Sequence, residues 1–249
     1  MSSKVTFIDQ TDSTNTYMAQ NDSAFAHGDA LAAHAQSAGR GQRGNTWESA
    51  PGENLTMSVM LRPEGVMAAG QFCISEAVAV GVAETLIEIL GSDAGVAVKW
   101  PNDIYVADSK ICGILIENVI TGKSIYRSIA GIGLNINQRR FLSDAPNPVS
   151  LYQLTGRTFS VDEIARSLTD RIADIYSEFI PTKRPEALHE RYKALLWRRR
   201  GFYPYYDIIA GERIRGAISA IAPTGHLTLT LPDGTFRTYA FKEVAALLE

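Results

Sequence analysis

The chain changes character at Arg198-Arg199-Arg200-Gly201. Ahead of that run, strand-like and helix-like segments alternate. Behind it, only short alternating stretches remain. Residues 205–210, 212–221, 226–231 and 236–241 read as strands, with Gly211, Pro223-Thr224-Gly225 and Asp233-Gly234 as the turns between them. Strands at this hairpin spacing predict a small barrel of about 50 residues. A domain boundary therefore falls near residue 195. The 249-residue length leaves room for one large domain ahead of it, big enough to bury a core without staples.

In the larger part, residues 4–8 alternate as a strand. The cap-rich Thr11-Asp12-Ser13-Thr14-Asn15 then opens a short helix through Tyr17 and Met18. Residues 30–35 read as a buried strand. Residues 36–53 hold Gly39, Gly41, Gly44, Pro51 and Gly52, a long loop of the kind that usually serves function. Residues 54–61 form a strand with Leu55, Met57, Val59 and Leu61 on one face. Apolar residues at helical intervals over 70–90 predict the longest helix, ended by Gly91. A strand over 96–100 stops at Pro101. Strands over 104–106 and 111–117 flank a tight turn, and another runs over 125–135. Helices follow over 161–180 and 184–196, with Pro181 and Pro185 at the break.

Hydrophobic residues make up 45%, which excludes a disordered chain. The net charge is 24 − 27 = −3, against broad nucleic-acid binding. Arg198–Arg200 is the one basic run and reads as a solvated helix end or linker. Cys73 and Cys112 form no disulfide framework, and the four histidines are too scattered for a zinc site. Residues 66–90 are the most apolar stretch, yet Gln71, Glu76, Glu84 and Glu88 make them too polar to span a membrane. No apolar signal core opens the chain, so a cytoplasmic, reducing setting is expected.

Four constellations carry possible chemistry. In Gly39-Arg40-Gly41-Gln42-Arg43-Gly44-Asn45-Thr46-Trp47, glycines let the backbone approach a ligand and the arginines add fixed positive charge. A mobile surface loop with solvated arginines is the plainer reading. Lys99-Trp100-Pro101-Asn102-Asp103 aims short polar groups from a strand end, or is an ordinary turn. In Lys110-Ile-Cys-Gly113-Ile-Leu-Ile-Glu117, a lysine opens an apolar strand and Gly113 marks a close approach to the backbone. Gly131-Ile-Gly133-Leu-Asn135-Ile-Asn137 removes side chains from one strand face, leaving a flat floor. It lacks the full dinucleotide fingerprint.

Taken together, these motifs resemble those of the biotin protein ligases, in order and approximate spacing. Asp12-Ser13-Thr14-Asn15, Ser150-Leu151 and residues 216–247 extend the resemblance over nearly the whole chain. It implies an α+β fold: a mixed-sheet, biotin/lipoate ligase-like (class II aminoacyl-tRNA synthetase-like) catalytic domain over 1–195, and a C-terminal SH3-like barrel over 196–249. It implies a ligase of the biotin–[acetyl-CoA-carboxylase] type, forming a carbon–nitrogen bond. Biotin is activated by ATP to biotinyl-5′-AMP and then passed to a lysine of a biotin carboxyl carrier domain. Mg²⁺ accompanies the phosphates. Ser13, Thr14, Asn15 and Gln36 are implied as ligands of biotin's ureido end, and Gly39, Arg40, Gly41 and Gln42 as the binding-loop segment. Lys110 is the central cation between biotin's carboxylate and the α-phosphate, and Gly113 leaves room for biotin. Arg43, Lys99 and Asn102 meet the triphosphate, while Trp47 and Asn135 lie on the adenylate side. Asp103 positions or deprotonates the acceptor lysine, whose ordinary pKa of about 10.4 leaves little free base at neutral pH.

Many relatives carry Arg where this chain has Gln42 and Asn45, which implies a looser hold on the adenylate. The first strand begins at Lys4, so a short form without an N-terminal DNA-binding domain is expected, acting as monomer or homodimer with no nucleic-acid or membrane partner. Three other readings compete: lipoate ligation on the same fold, a nucleic-acid-binding regulator, and a non-catalytic binding module.

Overall fold

The computed structural model describes residues 4–41, 46–142, 146–180 and 185–248. Its first strands are β1 (Val5–Thr11), β2 (Ala30–Gln36) and β3 (Leu55–Leu61). The short helix α1 (Thr14–Gln20) lies in the crossover from β1 to its parallel partner β2. All seven residues of β3 are buried, so the alternation read in its sequence does not separate core from solvent. It separates two covered faces. Leu55, Met57, Val59 and Leu61 join the main core, whereas Met60 packs with Met18 of α1 in a second cluster.

The main core is completed by α2 (Phe72–Leu90), α4 (Val161–Phe179) and α5 (Pro185–Ala194). Between α2 and α4 lie β4 (Val96–Lys99), β5 (Asp103–Val106), β6 (Ser109–Thr121), β7 (Ser124–Leu134) and the short α3 (Leu151–Thr155). The seven strands form one mixed sheet in the order β1-β2-β3-β7-β6-β5-β4. Only the β1–β2 pair is parallel.

A second, antiparallel sheet holds β8 (Tyr203–Asp207), β9 (Glu212–Ile221), β10 (Leu227–Thr230), β11 (Phe236–Tyr239) and β12 (Val244–Ala246), in the order β11-β10-β9-β8-β12. It meets the first sheet through Trp100, whose Nε1 donates to the Gly225 carbonyl at 2.9 Å. The Phe241 ring packs against both Trp100 and Phe72. The α+β class expected from the sequence is the class observed. Among the described residues, no helix is long and apolar enough to cross a membrane.

Three differences from the sequence reading have physical causes. β6 runs on to Thr121 because it stays paired with β7 beyond the covered core, where Ile120 and Tyr126 are exposed. α3 is too short to show a period, and is set by a capping box between Ser150 and Gln153. Arg198 is not a solvated linker residue: its guanidinium lies 4.0 Å from the Trp197 ring centroid and 4.8 Å from that of Tyr203, and donates to the Leu247 carbonyl at 2.8 Å. The expected break at Pro181 lies outside the described residues; Pro185 opens α5.

Candidate active site

Pairing across the sheet aligns Asp103 of β5 with Gly113 of β6, Gly133 of β7 and Thr56 of β3. One rung further, Leu115, Gly131 and Ser58 are aligned in the same way. Residues two apart share a face. Gly113, Gly131 and Gly133 therefore clear a bare patch on the face that carries α1. Two side chains lie on that patch. A Cβ at Gly131 would stand 2.5 Å from Asn15 Oδ1, and one at Gly113 would stand 2.9 Å from the Trp47 ring. At Gly133 a Cβ would collide with the same indole. The room expected beside Gly113 is thus taken by Trp47. Its buried Nε1 has no hydrogen-bond partner among the described residues.

The β3 end of the patch is polar and closed. Ser13, Thr14 and Asn15 are buried at the start of α1, with Ser13 at the N-cap position but making no side-chain cap. The Thr14 amide donates to Gln36 Oε1 at 2.7 Å, and its hydroxyl reaches the same atom at 3.2 Å. Ser58 Oγ lies 2.8 Å from Thr14 Oγ1 and 2.6 Å from Asn15 Oδ1. Asn15 Nδ2 donates to Glu117 Oε2 at 2.7 Å, which also accepts from Arg40 Nη2 at 2.8 Å.

The β5 end is cationic. Lys110 Nζ pairs with Asp103 Oδ1 at 2.7 Å and stands 5.7 Å from the Trp47 ring centroid. Lys99 Nζ donates to the Tyr105 hydroxyl at 2.8 Å and lies 5.6 Å from the Trp197 ring centroid. Burial pulls the Lys99 pKa below the usual lysine range, with the Asp103 charge opposing and the Lys110 charge reinforcing that fall. Burial also raises the Tyr105 pKa. Asn102 Nδ2 donates to the Ile114 carbonyl. Asn135 Nδ2 donates to the Val149 carbonyl at 3.0 Å, while its buried Oδ1 has no partner among the described residues.

Both ends open into one cleft of about 1020 Å³. Of the residues singled out in the sequence, it brings together Ser13, Thr14, Asn15, Gln36, Arg40, Gly41, Trp47, Lys99, Asn102, Asp103, Lys110, Gly113 and Asn135. Gly39 is not in its wall; its carbonyl accepts from the Trp47 amide at 3.0 Å and so closes the loop. Gln42 and Arg43 lie outside the described residues. Sequence reasoning missed Ser58 and Glu117 as site residues, although Glu117 shares strand parity with Gly113. The second sheet, which the sequence reading expects to assist ATP and acceptor binding, lines the cleft with Tyr205 and Val244. A neutral polar end and a cationic end on one floor suit a ligand that is polar and uncharged at one end and anionic at the other.

Residues 7–135 match the family model described as biotin/lipoate A/B protein ligase. The chain is similar to the bifunctional ligase/repressor BirA of Salmonella typhimurium, 40% identical over 148 residues that make up 59% of this chain and 45% of that protein. It thus spans less than half of that relative's length. It is also similar to the biotin–[acetyl-CoA-carboxylase] ligase of Paracoccus denitrificans, 31% identical over 169 residues, 66% of this chain and 69% of that protein. Among solved structures, the biotin protein ligase of Aquifex aeolicus in complex with biotin and ATP has a TM-score of 0.79 at 23% identity, covering 97% of each chain.

Proposed function

This chain belongs to the biotin/lipoate A/B protein ligase family, and on that premise we propose that it is an ATP-dependent biotin protein ligase. The carboxylate oxygen of biotin attacks the α-phosphorus of ATP, and pyrophosphate leaves. The amine of an acceptor lysine then attacks the acyl carbon of biotinyl-5′-AMP, giving up a proton as AMP departs. One observation carries this reading. The closed polar nook around Ser58 and the Lys110–Asp103 pair occupy opposite ends of a single glycine floor. Three strand spacings separate β3 from β5, roughly 14 Å. Biotin presents a neutral ureido ring at one end and a carboxylate at the other, matching that polarity. The dithiolane ring of lipoate has no N–H or C=O group to offer that nook.

In this reading Ser13, Thr14, Asn15 and Gln36 bind the ureido end. Lys110 exchanges Asp103 for the biotin carboxylate and the α-phosphate, placing its charge where negative charge crowds in the transition state. Asp103 is thereby released to receive the proton of the acceptor amine. Lys99, Asn102 and Arg43 hold the phosphates, and Asn135 Oδ1 offers an acceptor to the adenylate. Arg40, Gly39, Gly41 and Gln42 close the loop over the intermediate, with Trp47 as an inner wall that excludes water.

Among the described residues no three His, Cys, Asp or Glu side chains gather as metal ligands. The residues do not fit a resident magnesium ion, so Mg²⁺ belongs with ATP as part of the substrate. Residues 1–195 form the catalytic unit and 196–249 a barrel that assists it. The acceptor is a biotin carboxyl carrier domain, and the setting is the cytoplasm.

The test is to mix the chain with ATP, Mg²⁺, biotin and a carrier domain, with lipoate in a parallel reaction. One biotinyl group added to the carrier, read by mass, is the expected result. An unmodified carrier, or lipoyl addition instead, rejects the proposal.

A further inference from the structure

The geometry points to Glu117 as a positioning residue that fixes the amide polarity of Asn15 and so selects for a ring N–H in the ligand. This inference rests on the biotin-ligase reading. A half-turn of an asparagine amide exchanges donor for acceptor with almost no change of shape, so its neighbours decide which way it points. Ser58 Oγ, 2.6 Å from Asn15 Oδ1, can donate or accept and does not decide. Glu117 does, because a carboxylate only accepts. Its Oε2 takes the Asn15 Nδ2 hydrogen at 2.7 Å, which turns Oδ1 toward Ser58. The Leu115 carbonyl is an acceptor too, but at 3.4 Å from Nδ2 it is the weaker of the two.

Two further contacts hold this arrangement. Arg40 Nη2 lies 2.8 Å from the same Oε2 and pins the carboxylate, tying the binding loop to the nook. Gly131 lies directly beneath the amide, where any side chain would meet Asn15 Oδ1. An amide oxygen accepts two hydrogen bonds. Ser58 supplies one, leaving one for a ligand N–H. A ligand with an oxygen in that place would set lone pair against lone pair.

The experiment measures calorimetric affinities of wild type and Glu117→Gln for biotin and for the two cyclic carbamates in which one or the other ring N–H is replaced by oxygen. Glutamine keeps the shape but can itself donate, so Asn15 is free to turn. Wild type should prefer biotin to at least one carbamate by about thirtyfold. Glu117→Gln should bind biotin about tenfold more weakly and reduce that preference below about threefold. A proportional loss for all three ligands, or an unchanged preference, overturns the inference. Should Glu117→Gln lose its melting transition, Glu117→Met takes its place, and an unchanged preference overturns the inference there as well. A wild-type chain that binds biotin without discriminating against either carbamate overturns it while leaving the ligase reading intact. A wild-type chain that binds none of the three overturns both.

Discussion

At the β3 end of the glycine floor, Ser58, Thr14, Asn15, Gln36 and Glu117 are hydrogen-bonded to one another at 2.6–3.2 Å. At the β5 end, Lys110 holds Asp103, while Trp47 Nε1 and Asn135 Oδ1 are buried with no partner among the described residues. The first region is finished before any ligand arrives and fits a neutral group without rearrangement. The second is left to be completed by a ligand: Lys110 is paired with Asp103, whose charge also acts on Lys99. Buried polar atoms without partners are costly, so a ligand that satisfies them recovers that cost on binding. In the proposed reaction, recognition and chemistry divide between a preformed end and an end that exchanges its partners.

The largest effect should come from the β5 end. Lys110→Ala removes the charge that, in the proposed mechanism, follows the reaction, and pyrophosphate exchange should fall about a thousandfold. Near-normal exchange would erase the distinction between the ends. The next effect belongs to the β3 end. Gly131→Ala forces Asn15 aside, so the dissociation constant for biotin should rise about thirtyfold by calorimetry, with the KM for ATP changed less than about twofold. Equal losses for both substrates would show that the ends are not separable.

Lys99 offers a finer probe. Because burial lowers its pKa, the cation is lost as pH rises, earlier than for an ordinary lysine. The KM for ATP should climb on that alkaline limb, by up to about tenfold per pH unit. Lys99→Arg should abolish the limb, and a limb that persists in this variant assigns it to another group. The smallest effect concerns the junction with the second sheet. Trp100→Phe loses the bond to Gly225 and should cost about 1 kcal/mol in urea unfolding, leaving biotin affinity unaltered. A weakened biotin affinity would mean that the second sheet also shapes the β3 end.

Long periodic elements were legible in the sequence. α2 and α4 each span 19 residues, enough turns for a repeat to declare itself. Many residues of the cleft wall were legible as motifs, because they lie in short polar or glycine-bearing runs, whereas Met57, Tyr205 and Val244 were not. What lay hidden was contact across the chain. Ser58 reads as the polar side of β3, and nothing near it announces Asn15, 43 residues away. Glu117 lies 102 residues from Asn15. The glycines of β7 predicted an open floor. Periodicity carries no information on what lies over a missing side chain, and Trp47 covers it.

The rung that aligns Asp103, Gly113 and Gly133 runs across the chain direction. A one-residue insertion within 103–116 or 130–134 would slip one strand against its neighbours and turn every later side chain to the opposite face. The β6–β7 hairpin tolerates more at its tip. Its register already shifts between Val119 and Ile120, and Gly122 turns at a positive φ outside the covered sheet. Length changes at 122–123 are therefore absorbed beyond that irregularity. This tip is a place where a label or a fused peptide can enter the larger sheet without disturbing the alignment on which the cleft depends.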